Sequence, residues 1–293
     1  MKEVEKKNYS VATEDKSFNS IDSNETNIAV VENKSTEKII VSGGKVYCFF
    51  KRAFDIFASG LFLILFGWFI LLLMLIKYLE DAGAKTYKLD IKPATQKSKK
   101  KYCYLAKDGK VWEVRVIADK SAGKDSTVHG PIYTSIRVGK NKKLFKFHKI
   151  RSMCKGAEAM KAQLIEYEIN EADEPVFKLN HDPRITRFGR FLRKTSLDEL
   201  PQIWDIFIGN LSIIGPRSPI PEEVEKYTEY QKHRLDVKGG LLCYWQTKKG
   251  RHSISFDEWV ELDIKYIQTR SIWVDIKILF KGIWMFITDR SGE

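Results

Sequence analysis

Asp198 and Glu199 are adjacent carboxylates set in a cationic stretch of chain. Arg184, Arg187, Arg190 and Arg193 precede them at a spacing of three, which puts the guanidinium groups on one face if the segment is helical. Downstream, Gly215-Pro216-Arg217 closes the apolar run Leu211 to Ile214, a turn that fixes the backbone of Arg217 for a bidentate contact to phosphate. Lys149 and Arg151, in FKFHKIRSM, alternate along a strand pattern and so point the same way. This is the make-up of a phosphate site. An ionised carboxylate attacks phosphorus when a metal ion and cations neutralise the phosphate oxygens. Neighbouring residues on a helix diverge by about 100°, so one carboxylate attacks while the other holds the metal. Mg²⁺ suits that arrangement, since it takes one or two carboxylates plus substrate phosphate oxygens. Ser196-x-x-Glu199 also spells a capping box, in which Glu199 reaches back to the Ser196 amide and Asp198 only complements the helix dipole. Both readings stand on the sequence.

The elements that must position these groups follow from periodicity and turn chemistry. Ile132 to Val138 and Leu144 to Ile150 read as strands around Gly139-Lys140-Asn141. Ala157 to Ile169 reads as a helix, Pro175 to Leu179 as extended chain, and Ser196 begins a helix that continues through Pro201 to Ile208. Glu222 to Leu235, Phe256 to Thr269 and Ile272 to Ile287 read as helices, with Gly239-Gly240 breaking the chain before the short strand or loop Leu241 to Trp245. Upstream, Tyr102 to Leu105 and Val111 to Val116 flank Lys107-Asp108-Gly109, a hairpin signal inside a Lys-rich polar segment.

Ala53 to Ile76 is almost continuously apolar and covers roughly 30 Å or a little more as a helix, enough to cross a bilayer core. Lys51 and Arg52 precede it, and Lys77 and further lysines follow. Positive charge on both flanks favours both ends on the cytoplasmic face, which a helix satisfies by entering the membrane, bending at Gly60 or Gly67 and leaving on the same side. A simple span is the alternative. The final helix, with Trp273, Lys277, Lys281 and Trp284, suits either a headgroup region or a core.

Composition bounds the rest. A 293-residue chain with 12% aromatics folds, and its net charge of +12 asks for an anionic partner. Nucleic-acid binding rests on that charge alone and is set aside beside the apolar helix. Four scattered cysteines without a CxxC pair, and five scattered histidines, speak against a disulfide frame or zinc site. The expected architecture is α+β, mainly helical: a polar tail (1–44), a membrane helix region that is re-entrant or spanning (45–83), a Lys-rich hairpin insertion (84–129), and a cytoplasmic catalytic domain of amphipathic helices and short strands (130–293).

DPRITRFGRFLRKTSLDELPQIWDIFIGNLSIIGPR, together with KRAFDI, GPIYTSIRVGKNKKLFKFHKIRSM and ISFDEWVELDIKYIQTRSIWVDIKILFK, resembles the bacterial sugar transferases, the monotopic polyprenyl-phosphate phosphoglycosyl transferases, from about Lys51 to Arg290. The resemblance is to the compact form. It implies a cytoplasmic-face membrane enzyme that moves a sugar 1-phosphate from a UDP-sugar to undecaprenyl phosphate, releasing UMP, at the first membrane step of exopolysaccharide, capsule or glycan assembly. By that resemblance Asp198 is the nucleophile and carries a phosphosugar adduct, Glu199 holds Mg²⁺, and Lys149, Arg151 and Arg217 lie near the phosphates. Membrane lipids are further partners, and homo-oligomerisation is left open. The chain departs from the family pattern at Gly67-Trp68, where Ser-Pro is usual, at Ser218 in place of proline, and at Gly239-Gly240 in place of Pro-Gly. A non-catalytic scaffold that recruits glycan-assembly enzymes is the alternative function; the intact Asp198-Glu199 pair weighs against it.

Overall fold

The computed structural model describes residues 39–82, 84–95, 102–119, 130–172, 175–248 and 254–288, all within one compact unit (38–293). The polar tail up to 38 and the Lys-rich stretches 96–101 and 120–129 lie outside the described residues.

The first helix, α1 (Lys45–Asp81), runs 37 residues without interruption through Gly60 and Gly67. It is about 55 Å long at the helical rise, longer at both ends than the apolar run that announced it. A Cβ on Gly67 would meet nothing within 4 Å, so no packing demand breaks the helix there. The buried positions Tyr47, Asp55, Ser59, Ile70, Leu73, Lys77 and Asp81 form a stripe along it, while Phe57, Ile64, Trp68 and Leu71 are exposed. Both ends are tied into the same unit. At the first, Lys51 pairs with Asp275 at 2.7 Å, and Arg52 donates to the carbonyls of Ile206 and Phe207 at 2.6 and 2.7 Å. At the second, the fully buried Lys77 ion-pairs with Glu80 and Asp81, and Glu80 accepts from the Thr186 hydroxyl and the Phe188 amide. The flanking cations that looked like membrane-side charge are thus structural partners.

The hairpin forms as expected: β2 (Cys103–Leu105) pairs antiparallel with β3 (Val111–Ala118), with Gly109 at φ 81° and Asp108 Oδ1 accepting from the Lys110 amide. A further strand was missed. β1 (Tyr87–Pro93) pairs with the other edge of β3, Leu89 opposite Val116. Its alternating Tyr87, Leu89 and Ile91 were hidden among lysines. This sheet packs on α2 (Ala157–Glu166) through Leu89, Tyr104, Val114, Met160 and Leu164. β4 (Ile132–Val138) and β5 (Leu144–Ile150) form with the expected bounds and pair antiparallel, Tyr133 opposite Lys149 and Arg137 opposite Phe145.

Three helical readings are corrected. The arginine ladder is not one face: α3 spans Arg187–Lys194, capped by Thr186, while Arg184 lies before it, buried against Asp182 at 2.6 Å. The expected helix 222–235 is broken into α5 (Pro221–Glu225), α6 (Glu229–Lys232) and a 3-10 turn, His233–Leu235. Thr228 restarts it with a capping box to Gln231. The helix after Ser196 begins late: Leu197–Glu199 is a 3-10 turn, and α4 occupies Gln202–Ile208. β6 (Ser212–Ile214) pairs parallel with β7 (Gly240–Leu242). The last helices, α7 (Phe256–Thr269) and α8 (Ile272–Thr288), match the reading to within a residue. Val260, Ile264 and Ile267 of α7 and Ile278 of α8 share a core with Ile214 and Val237.

Candidate active site

The carboxylates sit where α3, β5 and α4 meet. α3 packs directly on the chain leaving β5: a Cβ on Gly189 would lie 1.9 Å from the Ser152 carbonyl oxygen, so only glycine allows the approach. Arg193, near the end of α3, donates from Nε to Ser152 Oγ at 3.0 Å. The chain then reverses at Ser196, which is left-handed at φ 52° and makes no side-chain cap bond. A non-glycine residue in that region carries a local conformational cost that the surrounding structure must offset. The capping-box reading is therefore wrong: Glu199 turns instead to Lys149 of β5, whose Nζ donates to Oε1 at 2.6 Å.

α4 is fastened at both faces. Asp205, fully buried, accepts from the His148 amide at 3.0 Å and lies 2.7 Å from His148 Nδ1. Arg52 of α1 satisfies the last carbonyls of α4, groups that a helix end leaves without partners. The apolar helix therefore braces α4, and its Leu73, Phe69 and Met74 pack beside Leu197 and Leu200, which flank the carboxylates.

The two carboxylates differ in character. Asp198 is 6% exposed. Burial raises its pKa; Lys149, with Nζ 3.9 Å from Oδ2, and then Arg193 act against that rise, while Glu199 adds to it. The net effect is a carboxyl above its ordinary range. Glu199 is also desolvated, but Lys149, Arg217 and Arg137 more than offset burial and hold it below its ordinary range. One carboxylate is thus the more basic and the other the better fixed anion.

Of the basic residues expected from sequence, Lys149 contacts the pair directly. Arg217 lies close enough for its charge to act on Glu199; its guanidinium sits 5.3 Å over the Trp259 ring and 3.5 Å from Glu223. Arg151 is placed differently: it donates to the carbonyls of Gly130 and Ile132, because β5 ends at Ile150 and the strand alternation stops there. Arg137 and the His148–Asp205 pair were missed. Arg137 was legible in principle, because cross-strand partners share a face and the β4–β5 register puts Arg137 on the same side as Lys149.

Among the described residues no group of three or more His, Cys, Asp or Glu side chains could cage a metal ion. Two adjacent carboxylates nevertheless fit Mg²⁺, which needs few protein ligands when a substrate supplies oxygens.

Comparison with known proteins identifies the family. The Bacterial sugar transferase family model matches residues 122–289, and the chain belongs to that family. It is 47% identical over 152 residues to the galactosyl transferase CpsE of Streptococcus agalactiae, covering 51% of this chain and 33% of CpsE. It is 43% identical over 155 residues to an undecaprenyl-phosphate galactose phosphotransferase of Salmonella typhimurium, covering 52% of this chain and 32% of that protein. With the exopolysaccharide production protein ExoY of Rhizobium meliloti it shares 38% over 153 residues, 52% of this chain and 67% of ExoY. The chain thus spans about a third of the first two relatives. The family match leaves out α1 and β1–β3.

Proposed function

We propose that this chain transfers a sugar 1-phosphate from a UDP-sugar to undecaprenyl phosphate, releasing UMP, as the committed membrane step of a surface glycan. The observation that carries this reading is the buried Asp198 beside Glu199, with Lys149 Nζ 3.9 Å from the first and 2.6 Å from the second. The names of the relatives, which include a UDP-galactose-lipid carrier transferase from Erwinia amylovora, support the substrate class. An Asp198 carboxylate oxygen attacks the phosphorus bearing the sugar. The bond from that phosphorus to the bridging oxygen breaks, its electron pair stays on that oxygen, and UMP leaves. An oxygen of the lipid phosphate then attacks the adduct, and the Asp198 carboxylate departs unchanged. No net proton transfer is needed in either half. Lys149 and Arg193 neutralise the reacting phosphate. Glu199, with the substrate oxygens, would hold Mg²⁺, which supplies Lewis-acid stabilisation of the phosphate charge.

The protein is expected to release UMP from the right UDP-sugar without lipid acceptor, to about one equivalent, since a covalent intermediate has nowhere to go. A panel of UDP-sugars identifies the donor. Chelation of divalent metal should stop the burst and Mg²⁺ should restore it, whereas Glu199→Ala should need far more Mg²⁺ for the same rate. Multiple turnovers without acceptor, or a burst indifferent to chelation, would contradict the scheme.

The same proposal places α1 at the membrane with both ends on the cytoplasmic face. The helix is long and apolar enough to cross a bilayer, yet Arg52 and Glu80, near its two ends, are bound to α4 and α3 of one globular unit. Exposed Trp273, Phe280 and Trp284 on α8 suit a headgroup region. Single cysteines introduced at Lys45 and Lys85, in a background lacking the native thiols, should both label from the cytoplasmic side of sealed vesicles. Labelling of only one would establish a span.

A further inference from the structure

The charges around the carboxylates fall into two sets. Asp198 is surrounded by Lys149 and Arg193, Glu199 by Lys149, Arg217 and Arg137. Lys149 is shared, whereas Arg137 and Arg217 lie on the Glu199 side, attached to the turn after β6. Arg137 donates from one guanidinium nitrogen to the Ser218 carbonyl at 3.1 Å, and its guanidinium lies 5.1 Å over the Phe147 ring.

Arg137 is not balanced as a structural arginine would be. Its Nε is sealed from solvent and has no hydrogen-bond acceptor. Among the described residues no carboxylate pairs with it: Glu199 is taken by Lys149, and Glu223 by Arg217 and the Ile220 amide. Ser218 Oγ beside it is also buried without a partner. Burial, and then the like charge of Arg217, push Arg137 down to about 10. A contrasting case lies nearby. Arg234 is placed deeper still but meets Asp263 at 2.8 Å. A desolvated guanidinium with an open donor and another cation for a neighbour is costly unless an anion completes it.

We infer that Arg137, with Arg217, binds the phosphate that leaves with the nucleotide. The inference rests on the diphosphate-sugar reading above. A nucleoside diphosphate sugar presents two phosphates. The one bearing the sugar must meet Asp198, within the Lys149–Arg193 set. The other then falls on the Glu199 side, where Arg137 and Arg217 converge. As the bond to the bridging oxygen breaks, the departing phosphate gains a negative charge, and donors already in place stabilise it without reorganisation. In the second half-reaction an in-line attack brings the lipid phosphate into the place the nucleotide phosphate vacated, so the same donors meet it there.

The nucleotide phosphate itself supplies the test. In the full-length protein in detergent, Arg137→Gln should slow the UMP burst by about a hundredfold, the cost typical of one lost charge-stabilising donor. Transfer from adduct accumulated by long incubation to undecaprenyl phosphate should slow as well, since its attacking phosphate takes the same place. Inhibition by UMP should weaken in parallel with the burst, and Arg137→Lys should recover part of both. An unchanged burst would overturn the inference. So would a slowed burst with a lowered melting temperature and unaltered inhibition by UMP, which would make Arg137 a prop for the Ser218 turn. If the parent gives no burst with any UDP-sugar, the functional proposal itself fails. Calorimetric titration with UMP then decides separately: at least tenfold weaker binding to the Gln variant upholds the anion site, and equal binding removes it.

Discussion

Asp198→Asn should abolish the phosphosugar adduct and reduce UMP release by about a thousandfold or more, while the protein melts above the parent at neutral pH. The amide preserves shape but cannot form the acyl phosphate. The stability gain follows from the same geometry that makes Asp198 reactive. Burial raises its pKa more than Lys149 and Arg193 lower it, so the ionised form is less favourable in the folded chain than in the unfolded one. A carboxyl with a raised folded pKa costs stability above that pKa and nothing below both values. The advantage of the Asn variant should therefore be present at neutral pH and close as the pH falls through the folded pKa of Asp198, which lies above the ordinary carboxylate range. In the parent, the rate of the UMP burst should fall across that same window as the nucleophile takes up its proton. Intact-mass detection of the adduct, with melting curves across pH, checks all three statements. Normal turnover by the Asn variant would remove the nucleophile assignment. A lower melting temperature at neutral pH would show that the carboxylate is a structural partner rather than a desolvated reagent.

Local signals carried much of the fold. β4 and β5 were readable because both strands alternate around a turn. α7 and α8 were readable because each keeps its apolar stripe to its ends. The failures share one cause, a tertiary partner that the local pattern does not contain. Ser196 and Glu199 have the spacing of a cap, but Lys149, some fifty positions earlier, captures Glu199 and leaves Ser196 free to take the left-handed turn. Lys51, Arg52 and Lys77 have the look of membrane flanks, but each is claimed by a distant acceptor or an adjacent acid pair. Glu222 to Leu235 has helical composition throughout, but the first helix ends at Glu225 and Thr228 starts a new one, its hydroxyl accepting from the Gln231 amide. At the site, the carboxylates were visible as a pair, and their unlike environments were not. That difference depends on which cations converge on each oxygen, a property of the folded arrangement alone.

Gly189→Ala and Gly67→Ala should differ in effect more than any other pair of glycine substitutions in the described helices, although both residues are helical and neither has a positive φ. At Gly189 the new methyl would stand 1.9 Å from the Ser152 carbonyl oxygen, against an ordinary contact of 3.4 Å or more, and no flexible side chain is there to yield. α3 must retreat by about 1.5 Å from the strand exit to relieve the overlap, the difference between those two distances. Three contacts are strained by that movement: the Thr186 amide to Ser152 oxygen bond, the Arg193 to Ser152 Oγ bond, and the seating of Leu192 against Ile150. Overpacking against backbone at this scale costs about 3 kcal/mol or more, roughly 10 °C in melting temperature for a domain of this size. Turnover should fall further than stability predicts, because Arg193 faces Asp198 and moves with α3. At Gly67 the methyl meets nothing, and alanine removes conformational freedom from the unfolded chain. That variant should melt no lower than the parent and keep its UMP burst, which makes it the control for any general effect of methylating a helix. The two should be compared by thermal melts and burst amplitudes in one detergent. A Gly189→Ala protein as stable as the Gly67→Ala protein would show that α3 does not rest on Ser152, and the placement of Arg193 at the reacting phosphate would go with it.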